Sequence, residues 1–222
     1  TAITDDTDST TLNLTGTASV VEGGSIVYSA SLTNPTGTAL TITLSNGAVI
    51  NIAANASTGS VTVAAPSDDA VIDAGSVSVT VASTSGGNYE QLTVGTGSAG
   101  NPVITTVTDD ADSTTLSLTA SASVVEGGNI TYTASVTNPT GTALVVTLSN
   151  GSSITIPAGQ SSGNVSVAAP SDDVYIDAGS VTVSVTGTSG GNYENLQNGS
   201  ISATTAITDD TDSTTLNLTG TA

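Results

Sequence analysis

Apolar residues recur at every second position along most of this chain. Leu12 and Leu14 alternate with polar neighbours, and Ile26, Tyr28, Ala30 and Leu32 do the same. Leu40, Ile42 and Leu44 follow, then Ile50 and Ile52, then Val61 and Val63, then Val77, Val79 and Val81, and a last run extends from Val103 to Val107. A period of two sends alternate side chains to opposite faces of a strand, whereas a helix repeats at 3.6. Turn residues separate the runs: Glu22-Gly23-Gly24, Asn34-Pro35-Thr36-Gly37, Asn46-Gly47, Thr58-Gly59, Pro66-Ser67-Asp68-Asp69 and Gly86-Gly87-Asn88. Asn-Gly between alternating runs is a strong hairpin signal. About seven short strands at this spacing, with no helical stretch, predict an all-β fold, an immunoglobulin-like antiparallel β-sandwich.

The pattern then repeats. "TDDTDSTTLNLTGTASVVEGGSIVYSASLTNPTGTAL" starts at Thr4, and "TDDADSTTLSLTASASVVEGGNITYTASVTNPTGTAL" starts at Thr108, 104 positions on. The register holds through "AAPSDDAVIDAGSVSVTV" from Ala64 and "AAPSDDVYIDAGSVTVSV" from Ala168. Residues 1–18 and 205–222 are identical. A unit of this length exceeds the ~20–45 residues of a solenoid repeat and matches an autonomous domain. The expected organisation is a linker at 1–8, a first Ig-like repeat at 9–108, a linker at 109–112 and a second repeat at 113–208. Residues 209–222 then read as a linker and the first strand of a third, truncated repeat, a strand without a partner domain.

Composition adds what the pattern cannot. The 222 residues include 19 Asp and Glu and no Lys, Arg or His, a formal charge of −19. No side-chain cation balances any carboxylate, and such self-repulsion opposes compaction. An intrinsically disordered acidic chain is poor in β-branched residues, but this one is rich in Val, Ile and Thr. It therefore reads as folded and short of counter-charge. With no basic residue to neutralise phosphates, nucleic-acid binding is excluded. Without Cys there are no disulfides or thiolate metal sites. No apolar run reaches the ~18 residues of a membrane span, and Thr1-Ala2-Ile3-Thr4 does not begin a signal peptide.

The acids are confined to four recurring motifs between the strand runs. The linkers carry Asp5, Asp6 and Asp8, then Asp109, Asp110 and Asp112, then Asp209, Asp210 and Asp212. The VEGG motif carries Glu22 and Glu126, the SDDxxID motif carries Asp68, Asp69, Asp73 and Asp172, Asp173, Asp177, and the NYE motif carries Glu90 and Glu194. Carboxylates clustered in loops, with no cation in the chain, form the hard oxygen-donor set that suits Ca²⁺, whereas Mg²⁺ takes fewer carboxylates and keeps its water. Strand parity gives the geometry. If consecutive strands reverse direction, Glu22, Asp68, Asp69, Asp73, Asp109, Asp110 and Asp112 meet at the C-terminal pole of the first repeat. Glu126, Asp172, Asp173, Asp177, Asp209, Asp210 and Asp212 meet at that of the second. Glu194 falls at the second repeat's N-terminal end, facing the junction.

These motifs, "TDDTDSTTLNL", "SVVEGGSIVYSASLTNPTG", "LSNG" and "APSDD…IDAGS", resemble the extender repeats of giant bacterial RTX adhesins, of the biofilm and ice-binding adhesin type. The resemblance covers essentially the whole chain, although the RTX nonapeptide G-G-x-G-x-D is absent. It implies a structural spacer on an extracellular bacterial surface protein, exported by type I secretion and anchored to the outer membrane through another region. Ca²⁺ would rigidify the domain junctions and project a distal adhesive tip. By motif, the linker Asp residues, Glu22, Glu126 and the SDD…D residues carry over as Ca²⁺ ligands. The expected partners are neighbouring repeats of the same chain and Ca²⁺, with no small-molecule substrate and a monomeric state. The alternative is a ligand-binding adhesive module that recognises a surface glycan or protein, which calls for a loop constellation present in one repeat only. An enzyme is not expected, because His, Cys and Lys are missing for acid–base or nucleophilic work.

Overall fold

A computed structural model describes residues 6–95 and 102–220. Every regular element among the described residues is a strand. The chain divides into two compact units, one of residues 1–69 with 73–110 and one of residues 70–72 with 111–222.

Unit 1 contains β1 (Ser9–Gly16), β2 (Ser19–Val21), β3 (Ser25–Leu32), β4 (Leu40–Leu44), β5 (Val49–Ile52), β6 (Thr58–Ala64), β7 (Gly75–Val79), β8 (Val81–Gly86), β9 (Gln91–Val94) and β10 (Val103–Thr108). One sheet has the order β6-β3-β1-β9, and the others are β2-β10-β7 and β5-β4-β8. The alternation seen in the sequence is the burial pattern. Leu12, Leu14, Tyr28, Leu40, Ile42, Ile50 and Ile52 have no exposed surface, and Ile26, Ala30 and Leu44 have almost none. The Asn46-Gly47 hairpin joins β4 to β5. Gly47 sits at φ 83°, and Asn46 Oδ1 accepts the Ala48 N–H at 3.1 Å. Leu44 N–H donates to Ala48 O at 2.8 Å and Gly47 N–H to Leu44 O at 2.9 Å, so the loop has three residues, and a type I turn closed this way requires a left-handed third residue.

The structure refines the expected seven strands in two ways. The run from Val77 to Val81 divides between β7 and β8, and β2 and β9 are additional strands of three and four residues. In addition, β1 pairs parallel to β9 and β2 pairs parallel to β10, so the sandwich is not wholly antiparallel. Parallel pairing follows from parity, since the first and last arms of an odd count run the same way.

Unit 2 repeats the arrangement with β11 (Ser113–Ala120), β12 (Ser123–Val125), β13 (Asn129–Val136), β14 (Leu144–Leu148), β15 (Ser153–Ile156), β16 (Ser162–Ala168), β17 (Gly179–Gly190), β18 (Asn195–Asn198) and β19 (Ser202–Thr208). Its sheets are β16-β13-β11-β18 and β12-β19-β17-β14-β15. Here one twelve-residue strand, β17, pairs β19 with its first half and β14 with its second. Residues 209–220 form no strand.

Candidate metal centre

The acidic pole of unit 1 is assembled by backbone bonds from three distant loops. Gly23 takes φ 66° in the VEGG turn, where Gly24 N–H donates to Val21 O at 3.1 Å. The same turn reaches outward: Glu22 N–H donates to Thr108 O at 3.0 Å, and Gly23 N–H donates to Pro66 O at 2.7 Å. These bonds tie the end of β2 to the end of β10 and to the SDD loop. Asp73 N–H then donates to Asp109 Oδ1 at 3.2 Å.

Carboxylates meet where these loops meet. Glu22, Asp73 and Asp109 each place an oxygen within 4.8 Å of the others. Glu22 is only 8 % exposed, and its Oε2 is buried without a hydrogen-bond partner. Burial is the main cause that pushes its pKa up to about 7, and the Asp73 contact and the nearby Asp109 and Asp69 charges act in the same sense. Beside this group, Asp68 brings an oxygen within 4.8 Å of one from Asp110.

Unit 2 builds the pole again. Glu126 N–H donates to Thr208 O at 3.1 Å and Gly127 N–H to Pro170 O at 2.7 Å. Glu126, Asp177 and Asp209 form one group within 4.8 Å, and Asp172, Asp210 and Asp212 form another. Glu126 Oε2 is also buried and unpartnered. A hydrogen bond with Asp177 and then burial push the Glu126 pKa up to about 7. Asp172 is raised by burial and by the charges of Asp210 and Asp212.

The remaining predicted residues are placed differently. Glu90 Oε2 accepts the Asp8 N–H at 2.5 Å, and Glu194 Oε2 accepts the Asp112 N–H at 2.5 Å, so each NYE glutamate caps a linker backbone within its own unit. Neither glutamate joins the carboxylate groups among the described residues. Asp173 Oδ1 accepts the Tyr175 N–H at 2.8 Å, a local turn contact. Asp69 contributes charge near Glu22 without entering its group, and Asp6 is exposed. Asp5 lies outside the described residues. No sequence pattern marks the carbonyls of Thr108 and Pro66, although they position the acids. Only the glycines of VEGG hinted that this turn meets another backbone.

Chemically, a buried carboxylate with an orphaned oxygen beside two more carboxylates suits a cation of hard character. The unfavourable proximity that raises these pKa values becomes favourable once a divalent charge sits among them. Glu22, Asp73 and Asp109 would hold such an ion in unit 1, and Glu126, Asp177 and Asp209 in unit 2.

A family model described as the LapA domain matches residues 8–110 and, a second time, residues 112–211. No curated protein matches the chain.

Proposed function

This chain belongs to the LapA domain family, the repeat domain of LapA-type giant RTX adhesins, in two tandem copies, and from that premise we propose that it is a Ca²⁺-stiffened spacer. Membership makes it a non-enzymatic adhesin repeat of a cell-surface or secreted protein. No helix among the described residues is long and apolar enough to cross a membrane.

The observation that carries the reading is the buried, unpartnered Glu22 Oε2 facing Asp73 and Asp109, duplicated at Glu126 with Asp177 and Asp209. Duplication favours a spacer over an adhesive module, because a recognition site would set one repeat apart. Ca²⁺ is the fitting ion, since every side-chain donor in these groups is a carboxylate oxygen. Asp109, Asp110 and Asp112 occupy the short segment between Thr108, which ends β10, and Ser113, which begins β11. Cations bound there would remove the repulsion that loosens the segment and would stiffen the array that carries a distal tip. Type I secretion and outer-membrane anchoring through another region complete the proposal.

Scanning calorimetry tests it. Saturating Ca²⁺ is expected to raise the melting temperature by well over the ~4–8 °C that 1 kcal/mol is worth in a domain of this size. Small-angle scattering is expected to broaden toward bent conformers in chelator. Identical melting and scattering curves with Ca²⁺ and with chelator would overturn it.

A further inference from the structure

The chain contains three Asn-Gly pairs, Asn46-Gly47, Asn150-Gly151 and Asn198-Gly199. This dipeptide carries its own reactivity. The glycine nitrogen, unhindered by a side chain, attacks the Asn Cγ once it has lost its proton to hydroxide. A C–N bond forms, the Cγ–Nδ2 bond breaks, and ammonia leaves a cyclic imide behind. Water then opens the ring at either carbonyl, giving Asp or isoaspartate. No oxidant or other reagent takes part.

Two of the pairs are held shut by the fold. Asn46-Gly47 and Asn150-Gly151 lie in equivalent hairpin loops, between β4 and β5 and between β14 and β15. In each the glycine nitrogen is engaged: Gly47 N–H donates to Leu44 O at 2.9 Å, and Gly151 N–H to Leu148 O at 3.0 Å. The Asn side chain is engaged as well. Asn46 Oδ1 accepts the Ala48 N–H at 3.1 Å, and Asn150 Oδ1 accepts the Ser152 N–H at 3.1 Å and its hydroxyl at 2.7 Å. Both loops leave strands, β4 and β14, that are paired on both sides.

Asn198-Gly199 is placed differently. Asn198 ends β18, the four-residue edge strand of the sheet β16-β13-β11-β18. Its side chain is exposed and makes no hydrogen bond among the described residues. Gly199 N–H donates to Leu116 O at 2.8 Å, so its nitrogen is freed when the strand end opens. Parting the end of a short edge strand breaks fewer contacts than opening a hairpin between packed strands, and local opening costs less where fewer contacts are lost. Packing requires the glycine, since a Cβ at 199 would stand 2.7 Å from Thr115 Cγ2. Unit 1 makes the same backbone bond, Gly95 N–H to Leu12 O at 2.8 Å, but Val94 stands where unit 2 has Asn198.

We propose that Asn198 is a site of self-modification, converted to a carboxylate through attack by the Gly199 nitrogen, while Asn46 and Asn150 stay intact in the folded chain. The isoaspartate product routes the main chain through the side-chain methylene and so lengthens it between residues 198 and 199. The bonds from Gly199 N–H to Leu116 O and from Leu118 N–H to Ser200 O, the latter 2.6 Å, then cannot both be kept. The end of β18 parts from β11. The reaction does not depend on bound Ca²⁺.

Mass spectrometry of the full chain, aged in mildly alkaline buffer and then digested with pepsin in acid, tests this. Asn150 is the matched control, because it and Asn198 both precede Gly-Ser. In the folded chain Asn198 is expected to react about tenfold faster than Asn150 or Asn46, a difference of ~1.4 kcal/mol in barrier. In concentrated urea the rates should draw level. Hydrogen exchange of the aged protein should show lost protection at the Gly199 and Leu118 amides, and Asn198→Gln should keep that protection. Equal rates in the folded chain, or an Asn198 slower than either hairpin Asn, overturn the proposal. A tenfold lead that persists in urea also overturns it, by placing the selectivity in local sequence and not in the fold. Aged protein that keeps both protections overturns the parting of β18 from β11.

Discussion

Leu12 and Leu216 occupy the same position of one identical segment, STTLNLTG, yet Leu12 has no exposed surface and Leu216 is 94 % exposed. Leu14 and Leu218 repeat the contrast, the latter at 97 %. Residues 9–16 lie in β1 between β3 and β9, while residues 213–220 pair with nothing among the described strands. Leu12→Ala is therefore expected to cost about 2–5 kcal/mol through lost burial and a residual cavity. Leu216→Ala should stay within about 0.5 kcal/mol, as at an ordinary surface position. Urea unfolding of the two variants makes the comparison, and equal losses would contradict the structure.

Gly47 and Gly86 have nearly the same backbone, φ 83° and 86°, but different surroundings. A Cβ on Gly47 meets nothing within 4 Å, whereas on Gly86 it would stand 2.2 Å from Ala39 O. Gly47→Ala should cost only the left-handed penalty of about 1–2 kcal/mol. Gly86→Ala must also displace the backbone next to β4, so it should melt several degrees lower than Gly47→Ala. Thermal denaturation of both proteins decides.

Glu22→Gln separates the two roles of that carboxylate. In chelator the amide removes a buried, unpartnered charge beside Asp73 and Asp109, so the melting temperature should rise. In Ca²⁺ the same change removes a ligand, so the stabilisation by calcium should shrink. Isothermal titration calorimetry should show weaker binding to match. Unchanged calcium binding would remove Glu22 from the site.

The pKa shifts give a direction for acid. Glu22 and Glu126 stand at about 7 in the folded chain, against 4.5 ordinarily. The folded state thus holds protons that the unfolded chain releases between those values, and stability falls as pH rises through that window. In chelator the melting temperature should climb as pH is lowered from 8 to 5. In saturating Ca²⁺ the trend should reverse, since bound cations favour the ionised carboxylates. A metal-free protein that loses stability steadily over this range would contradict the buried placement of these glutamates.

With no Lys or Arg, the chain offers no trypsin site even when unfolded. Gel electrophoresis after trypsin digestion in moderate urea should show a single intact band. Discrete fragments from trypsin alone would refute the prediction.

Strand identity and the inward face of each strand were legible in the sequence, because a period of two makes burial a local property. Leu40, Ile42 and Leu44 were assigned to the core from alternation, and all are buried. The repeat, the missing counter-charge and the meeting of the Glu22, Asp73 and Asp109 loops at one pole were legible too. That last inference needed only the reversal of direction at each turn. Pairing was not legible. The four-residue β9 and its parallel contact with β1 join residues about eighty positions apart, and no local pattern encodes a partner that distant. Motif membership likewise did not separate acids that converge from acids that cap a backbone. Glu90 and Glu194 turn to the N–H groups of Asp8 and Asp112, whereas Glu22 is buried among carboxylates. The segment STTLNLTG shows where the boundary lies. Its alternation specifies a strand with two inward leucines, but an extended segment buries them only against a neighbouring strand and a facing sheet. Tertiary structure supplies those partners to residues 9–16, where β3 and β9 flank the strand.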